Sequence, residues 1–190
     1  MVGSEQIKAF RALGLGLAAA LLAACATTSA PVNMHGRPTA GETLPFYSLD
    51  APPQVVAGAP PLQCVPFARQ ASGIQIYGDA NTWWRQAAGR YPRSNSPAVG
   101  SVLVLHGYHD ETRGHVAVVR RIISPRVILV DHANWLNQEE VTVNVPVVDV
   151  SPENDWTQVR VWYIPLRQWG ARTYTADGFI HPFLLQAALG

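Results

Sequence analysis

The chain has 190 residues, of which 48% are apolar, and its formal net charge is +1. Once an export leader and a linker are set aside, its length suits one ordinary domain. The near-neutral charge, without a long run of like charges, gives no support for nucleic acid or a strongly acidic molecule as a partner.

The first 24 residues have the pattern of an export signal. Lys8 and Arg11 precede an apolar stretch of Leu, Gly and Ala that is too short to span a bilayer. The stretch ends in Leu-Ala-Ala before Cys25, which resembles the lipobox of bacterial lipoproteins. That resemblance implies that residues 1–24 are a signal peptide, that cleavage falls before Cys25 and that Cys25 carries a lipid. Because Ala26 is not acidic, it also implies a location in the outer membrane, facing the periplasm. A plain signal-peptidase cut after Ala26 is the competing interpretation, and it would give a secreted or periplasmic protein.

Either cut leaves Cys64 as the single thiol of the mature protein, since the chain has two cysteines. An odd cysteine in an exported protein cannot form an intramolecular disulfide, which favours a reactive role. Residues 25–59 are rich in Pro, Ala, Gly, Ser and Thr, and we predict that they form a tether.

Cys64 lies at the junction of a loop and a predicted helix. Pro66 is tolerated only in the first turn of a helix, so the helix is predicted to begin at or just after Cys64. Unpaired N–H groups and the positive end of the helix dipole then surround the thiol, and both favour the nucleophilic thiolate. The alternative is a small buried apolar side chain, the usual situation of a free cysteine.

A second helix is predicted from Asp79 to about Ala88, and the pattern then changes to strands. Five runs rich in Val and Ile follow with short links, at 101–106, 114–123, 126–133, 140–148 and 158–164. Helices followed by successive strands indicate an α+β domain, with N-terminal helices packed on an antiparallel sheet of about five strands. We place this domain at 60–168 and expect 169–190 to form a tail packed on it.

Polar residues near one end of a predicted hairpin are candidates to support the thiol. If the turn lies at 124–125, Asn134 is opposite His115 and His132 is one diagonal step away. His132 and Asn134 share a face, whereas Asp131 points to the other face. The sequence therefore nominates His115 as the base, with His132 or Asn134 holding its second ring nitrogen.

Five blocks of sequence, in order, resemble the CHAP family of cysteine amidases and peptidases. They are Gln63-Cys64-Val65-Pro66-Phe67-Ala68-Arg69, Gly78-Asp79-Ala80-Asn81-Thr82-Trp83-Trp84, Pro97-Ala98-Val99-Gly100-Ser101-Val102, Gly114-His115-Val116-Ala117-Val118-Val119 and His132-Ala133-Asn134-Trp135. The resemblance covers about 60–135. It implies a papain-like or NlpC-like fold and cleavage of amide bonds in peptidoglycan, with Cys64 as nucleophile and His115 as general base.

The resemblance leaves the third catalytic member open. Many members of the family have Glu two residues before the asparagine, where this chain has His132. NlpC-like relatives use a polar third residue that is often His, which fits His132, and Asn134 is the alternative in the role of the papain-like asparagine. Gln63 is expected to help form the oxyanion hole with the N–H of Cys64.

These features predict a cysteine-dependent peptidoglycan hydrolase, an amidase or an endopeptidase, that works through an acyl-enzyme. No metal or organic cofactor is implied. The expected partners are peptidoglycan stem peptides and, through the lipid on Cys25, a membrane; the sequence identifies no regulatory protein.

Three other interpretations stay open. Zinc bound by His106, His109 and His115 fits no common ligand spacing, and no second cysteine is available. The second is a catalytically inactive scaffold or binding lipoprotein of the cell envelope. It is favoured by His132, which stands where many members of the family have Glu. An acyl or peptidyl transferase would use the same thiol and differ only in its acceptor.

Overall fold

The computed structural model describes residues 52–183. The predictions for the signal segment 1–24, for a lipid on Cys25 and for most of the tether 25–59 lie outside the described residues. The end of the predicted tail, 184–190, lies outside them as well.

Two α-helices and nine strands occur within the described part of the chain. The helices are α1, Cys64–Ser72, and α2, Trp83–Ala87, with 3-10 turns at Ala80–Thr82 and Ile164–Leu166. The strands are β1 (Gln54–Val55), β2 (Arg93–Ser94), β3 (Val102–Gly107), β4 (Asp110–Ser124), β5 (Val127–Ala133), β6 (Val141–Asp149), β7 (Gln158–Tyr163), β8 (Gln168–Trp169) and β9 (Tyr174–Ile180). None of these helices has the length and the apolar character needed to cross a lipid bilayer.

Six of the strands form a closed antiparallel barrel in the order β3, β4, β5, β6, β7, β9, with β9 returning to β3. The described chain is mostly β, with 42% strand and 15% helix. The predicted fold class was therefore wrong: the structure is not an α+β arrangement of helices on an open sheet of about five strands. The five predicted runs correspond to β3–β7, and a sixth strand joins their two ends.

Strand β9 closes the barrel and lies in the segment that we expected to form a tail. One end of β9 pairs with β7 and the other with β3. Its sequence mixes Thr, Ala, Asp and Gly with aromatic residues, so it lacks the Val-Ile run that identified the other five. Gly178 takes a φ of 126° there, and a Cβ on it would lie 2.6 Å from the main-chain oxygen of Ser94. A glycine at this position is therefore required by the fold.

The opposite faces of β3 and β4 belong to two different hydrophobic clusters, because side chains alternate along a strand. One face points into the barrel, where Leu103, Ala117 and Val119 meet Trp156 and Phe179. The other face is covered by the helical region, and it includes Val102, Val104, Val116, Val118, Ile74 and Trp83. Helix α1 thus packs against the outside of the barrel at β4, so the two elements that carry Cys64 and His115 are in direct contact.

Strand β1 pairs with β6, with Gln54 opposite Val143 and Val55 opposite Thr142. The N–H of Val56 continues this pairing by donating to the main-chain oxygen of Val141, at 2.9 Å. The last part of the predicted tether is thus joined to β6 of the barrel.

Candidate active site

Cys64 is the first residue of α1, as the position of Pro66 predicted. Gln63 precedes it with extended backbone angles, and the main-chain oxygen of Gln63 accepts the first intrahelical bond, from Phe67, at 3.1 Å. The N–H groups of Cys64 and Val65 therefore have no partner inside the helix and are available to a negative charge. Cys64 is half-buried, and it packs against the cluster that covers the outer face of β4.

The thiol of Cys64 has its pKa raised above the ordinary value of 9.0 by burial. Main-chain groups of Val116, Val65 and Cys64 itself, with the charge of Arg113, act in the opposite direction but do not outweigh burial. The main-chain groups at the helix start thus favour the thiolate, as expected, but the desolvation of a charge outweighs them in the resting protein. The contact with Val116 places the thiol beside the residue that follows His115.

His115 on β4 and His132 on β5 form a buried pair. Nε2 of His115 lies 3.0 Å from Nδ1 of His132, within hydrogen-bond distance. Val118 pairs with Asp131 and Val119 with Val130, so this part of the hairpin has the predicted register, with a bulge beginning at Arg120. The diagonal relation expected between the two histidines is therefore present in the structure.

Both imidazoles are held in the neutral form. Burial lowers the pKa of His115 well below 6.5, with a further contribution from His132, and burial lowers the pKa of His132 to about 3. A neutral His115 is able to accept a proton, which a general base must do. Since Nε2 of His115 faces His132, Nδ1 is the ring nitrogen that lies outside this contact.

Trp135 covers the histidine pair, a contact that the sequence argument did not assign. Its ring lies 4.7 Å from the ring of His115 and 5.7 Å from that of His132, nearly parallel to the latter. Its place in the last CHAP-like block, next to Asn134, was the available signal. The indole excludes water from the pair and so contributes to the low pKa of both histidines.

Asn134 and Gln63 contact each other rather than the histidine pair. The amide of Asn134 donates to Oε1 of Gln63 at 2.7 Å, and its Oδ1 accepts from the N–H of Glu139 at 3.1 Å. The amide of Gln63 donates in turn to the carboxylate of Glu139. Of the two candidates for the third member, the structure brings His132 to His115, whereas both ends of the Asn134 amide are engaged elsewhere. The same contacts direct the Gln63 amide toward Glu139.

Gly114, immediately before His115, lies against the turn that precedes α2. A Cβ at this position would be 2.6 Å from the main-chain nitrogen of Asn81 and 2.9 Å from its Cα. The close approach of two backbones explains the glycine in the Gly-His block. This contact also fixes the point at which β4 becomes buried, and therefore the position of His115.

The remaining polar candidates lie apart from the pair. Asp131 points away from it, accepts from the N–H of Asn144 at 2.9 Å and lies 3.9 Å from Arg120. His106 contacts Asp177 at 3.0 Å, and His109 is exposed beside Tyr108. No group of three or more His, Cys, Asp or Glu side chains within residues 52–183 is arranged to hold a metal ion.

A thiol at a helix N-terminus, packed on a strand that carries a buried and oriented imidazole, is an arrangement suited to acyl transfer through a covalent intermediate. Residues 55–134 match the family model of the CHAP domain. The match spans less than half of the 190-residue chain and contains the helix start at Cys64 and both histidines. The resemblance to the CHAP family is confirmed over these residues.

A CHAP domain indicates a hydrolase of the amidase or peptidase type, with peptidoglycan as the substrate class. No protein with a curated description matches the sequence.

Proposed function

We propose that the protein is a cysteine-dependent peptidoglycan hydrolase that cuts an amide bond in a stem peptide or at the sugar–peptide junction. The observation that carries the proposal is that α1, which begins at Cys64, packs on β4, which carries His115 of the buried His115–His132 pair, inside the CHAP segment. The thiol contacts the main chain of Val116, one residue beyond His115 on β4.

In the proposed first half-reaction, Sγ of Cys64 bonds to the amide carbonyl carbon while Nδ1 of His115 takes the thiol proton. The N–H groups of Cys64 and Val65 stabilise the oxyanion. The C–N bond then breaks, and His115 gives its proton to the departing amine. The acyl group remains on Cys64 as a thioester.

In the second half-reaction, His115 takes a proton from a water molecule that adds to the thioester carbonyl. The C–S bond breaks, a carboxylic acid leaves, and Cys64 recovers its hydrogen from His115. His132 stays bonded to Nε2 of His115 throughout, so it holds the ring in place and disperses its transient charge. As a neutral partner, it stabilises the imidazolium less than a carboxylate would.

Replacement of Cys64 by Ala is expected to abolish digestion of purified cell walls and to leave the fold intact. Zymography measures the loss of digestion, and mass spectrometry of the wild-type products identifies the bond that is cut. His109→Ala, on the exposed loop between β3 and β4, is the control and should digest normally.

Digestion retained by Cys64→Ala would refute the proposed mechanism. Binding of muropeptides by the wild-type protein without any product would favour the inactive scaffold instead. Products in which an added amine replaces water would identify a transferase.

We also propose that a lipid on Cys25 anchors the protein to the outer membrane, facing the periplasm. The support is the Leu-Ala-Ala-Cys sequence after an apolar stretch. Detergent phase partition should place the wild-type protein in the detergent phase and Cys25→Ser in the aqueous phase. Aqueous partition of both would leave the plain signal-peptidase cut as the explanation.

A further inference from the structure

A cavity of about 60 Å³ adjoins His132. Its wall is mostly apolar and comes from the loop after β5 and from β6, β7 and the turn that follows β7. It includes Trp135, Val145, Trp162 and Ile164. A water molecule needs roughly 10–15 Å³ of such space together with polar partners, so the cavity has room for water.

Two buried polar atoms belong to residues that line this cavity. They are Nε2 of His132 and Oδ1 of Asn137, and neither has a hydrogen-bond partner within residues 52–183. His132 is only 1% exposed. Buried polar atoms are nearly always hydrogen-bonded, to protein or to ordered water. A common partner inside the cavity would satisfy both.

Two residues of the cavity wall carry side-chain oxygens that can accept hydrogen bonds. Oδ1 of Asn137 accepts and cannot donate, and Glu140, which also lines the cavity, has carboxylate oxygens as further acceptors. A water molecule that donates both of its hydrogens to such acceptors has only lone pairs left for His132. Nε2 of His132 must then carry a hydrogen.

The hydrogen on Nε2 of His132 determines what His115 can do. Burial keeps the pKa of both imidazoles low, so each neutral ring carries a single hydrogen. If the hydrogen of His132 is on Nε2, then Nδ1 of His132 can only accept a hydrogen bond. Nε2 of His115 must therefore donate across the 3.0 Å contact. Nδ1 of His115 then has a free lone pair for the proton of Cys64. The opposite tautomers would leave Nδ1 of His115 protonated and unable to act as a base.

We propose that water in this cavity, held by Asn137 and Glu140, selects the tautomer of His132 that makes His115 a base. Asn137 and Glu140 are thus positioning residues, which act through His132 and do not touch the substrate. This inference rests on the proposed function for its kinetic consequence, whereas the tautomer itself is independent of any activity.

The experiment is ¹⁵N NMR of the intact protein with labelled histidine, with His132→Gln used to assign the signals. The wild-type protein should show His132 and His115 with hydrogen on Nε2 and a lone pair on Nδ1. Asn137→Leu should convert part of the population to the opposite tautomers, and Asn137→Asp, which keeps an acceptor, should restore the wild-type spectrum. Leu136→Ala is the control, because Leu136 lines the same cavity and has no polar side-chain atom.

The kinetic readout accompanies the spectrum. Asn137→Leu is expected to lower kcat about tenfold with little change in KM, as the loss of one hydrogen bond predicts, and Asn137→Asp should recover most of it. Hydrogen on Nδ1 of wild-type His132, or a spectrum unchanged by Asn137→Leu, would overturn the inference. If the spectra behave as expected but no hydrolysis is detected, the inference about the tautomer stands and the proposed function fails.

Discussion

Burial determines the charge of the three central side chains. It raises the pKa of Cys64 and lowers that of His115 and of His132, the latter to about 3. The resting site therefore holds a neutral thiol and two neutral imidazoles at neutral pH. Transfer of the thiol proton to His115 would create two charges in a partly desolvated place. We expect this transfer to accompany attack on the substrate rather than to precede it.

The neutral histidines also predict how stability depends on pH. In the unfolded chain a histidine has a pKa of about 6.5, so below that pH the unfolded chain binds more protons than the folded one. The contribution of His115 and His132 to the free energy of unfolding is complete above pH 6.5. It decreases as the pH falls toward the pKa values of these histidines in the folded protein. The free energy of unfolding should decrease by up to about 1.4 kcal/mol per pH unit for each histidine.

Urea unfolding between about pH 7 and about pH 5 measures this slope. His132→Gln should have a shallower slope than the wild-type protein, whereas His109→Gln, at an exposed position, should keep the wild-type slope. Equal slopes for wild type and His132→Gln would contradict the assignment of the acid sensitivity to the buried pair.

Among the structural elements, the loop between β5 and β6 joins the strand that carries His132 to the segment that leads into Cys64. Four of its residues have a positive φ, namely Asn134, Leu136, Gln138 and Glu139, with values of 56°, 57°, 58° and 70°. Such a cluster is unusual for residues other than glycine, and strain of this kind is found at functional sites. Its contacts supply a reason, since Glu139 binds Leu62 through its main-chain oxygen, at 2.8 Å, and Gln63 through its carboxylate.

Replacement of Glu139 by Ala tests this connection. Loss of the carboxylate should lower the free energy of unfolding by about 1 kcal/mol and should reduce kcat, because Cys64 loses part of its support. Gln138→Ala is a matched control, since Gln138 is an exposed neighbour with the same left-handed backbone. Urea unfolding and turnover on the same wall substrate should separate the two variants; identical behaviour would show that the contact with Gln63 does not position the nucleophile.

At the scale of the whole molecule, closure of the barrel makes the C-terminal strand essential. β9 pairs with both β3 and β7, and its Phe179 is fully buried in the barrel interior. A chain that ends after residue 173 would lose both sets of pairs and expose that interior to water. It should therefore lack a cooperative thermal transition, because a barrel opened in this way leaves two unpaired edges and an uncovered core.

The control for this truncation is a chain that ends after Phe183, which retains all the strands described here. Near-ultraviolet circular dichroism during heating should show a cooperative transition for the control and none for the shorter chain. A cooperative transition in the shorter chain would mean that five strands are sufficient, as in the open sheet that the sequence had suggested.

The features that could be predicted from the sequence are those encoded by neighbouring residues. Pro66 marked the start of the helix at Cys64, and the Val-Ile runs on either side of 124–125 defined the hairpin that brings His115 and His132 together. The CHAP-like blocks are likewise short stretches whose order along the chain carries the family resemblance. Each of these features depends on local backbone preferences and on the alternation of side chains along a strand.

The features that depend on contacts between distant segments are visible in the folded chain and have no local signal in the sequence. Closure by β9 requires pairing with β3, more than 70 residues earlier, and its Thr- and Gly-containing sequence gives no strong local signal. The network of Gln63 with Asn134 and Glu139 spans separations of 71 and 76 residues. The pKa of Cys64 depends on how much of the thiol the folded chain covers, and no local sequence pattern reports this. Burial therefore raises that pKa more than the helix terminus lowers it.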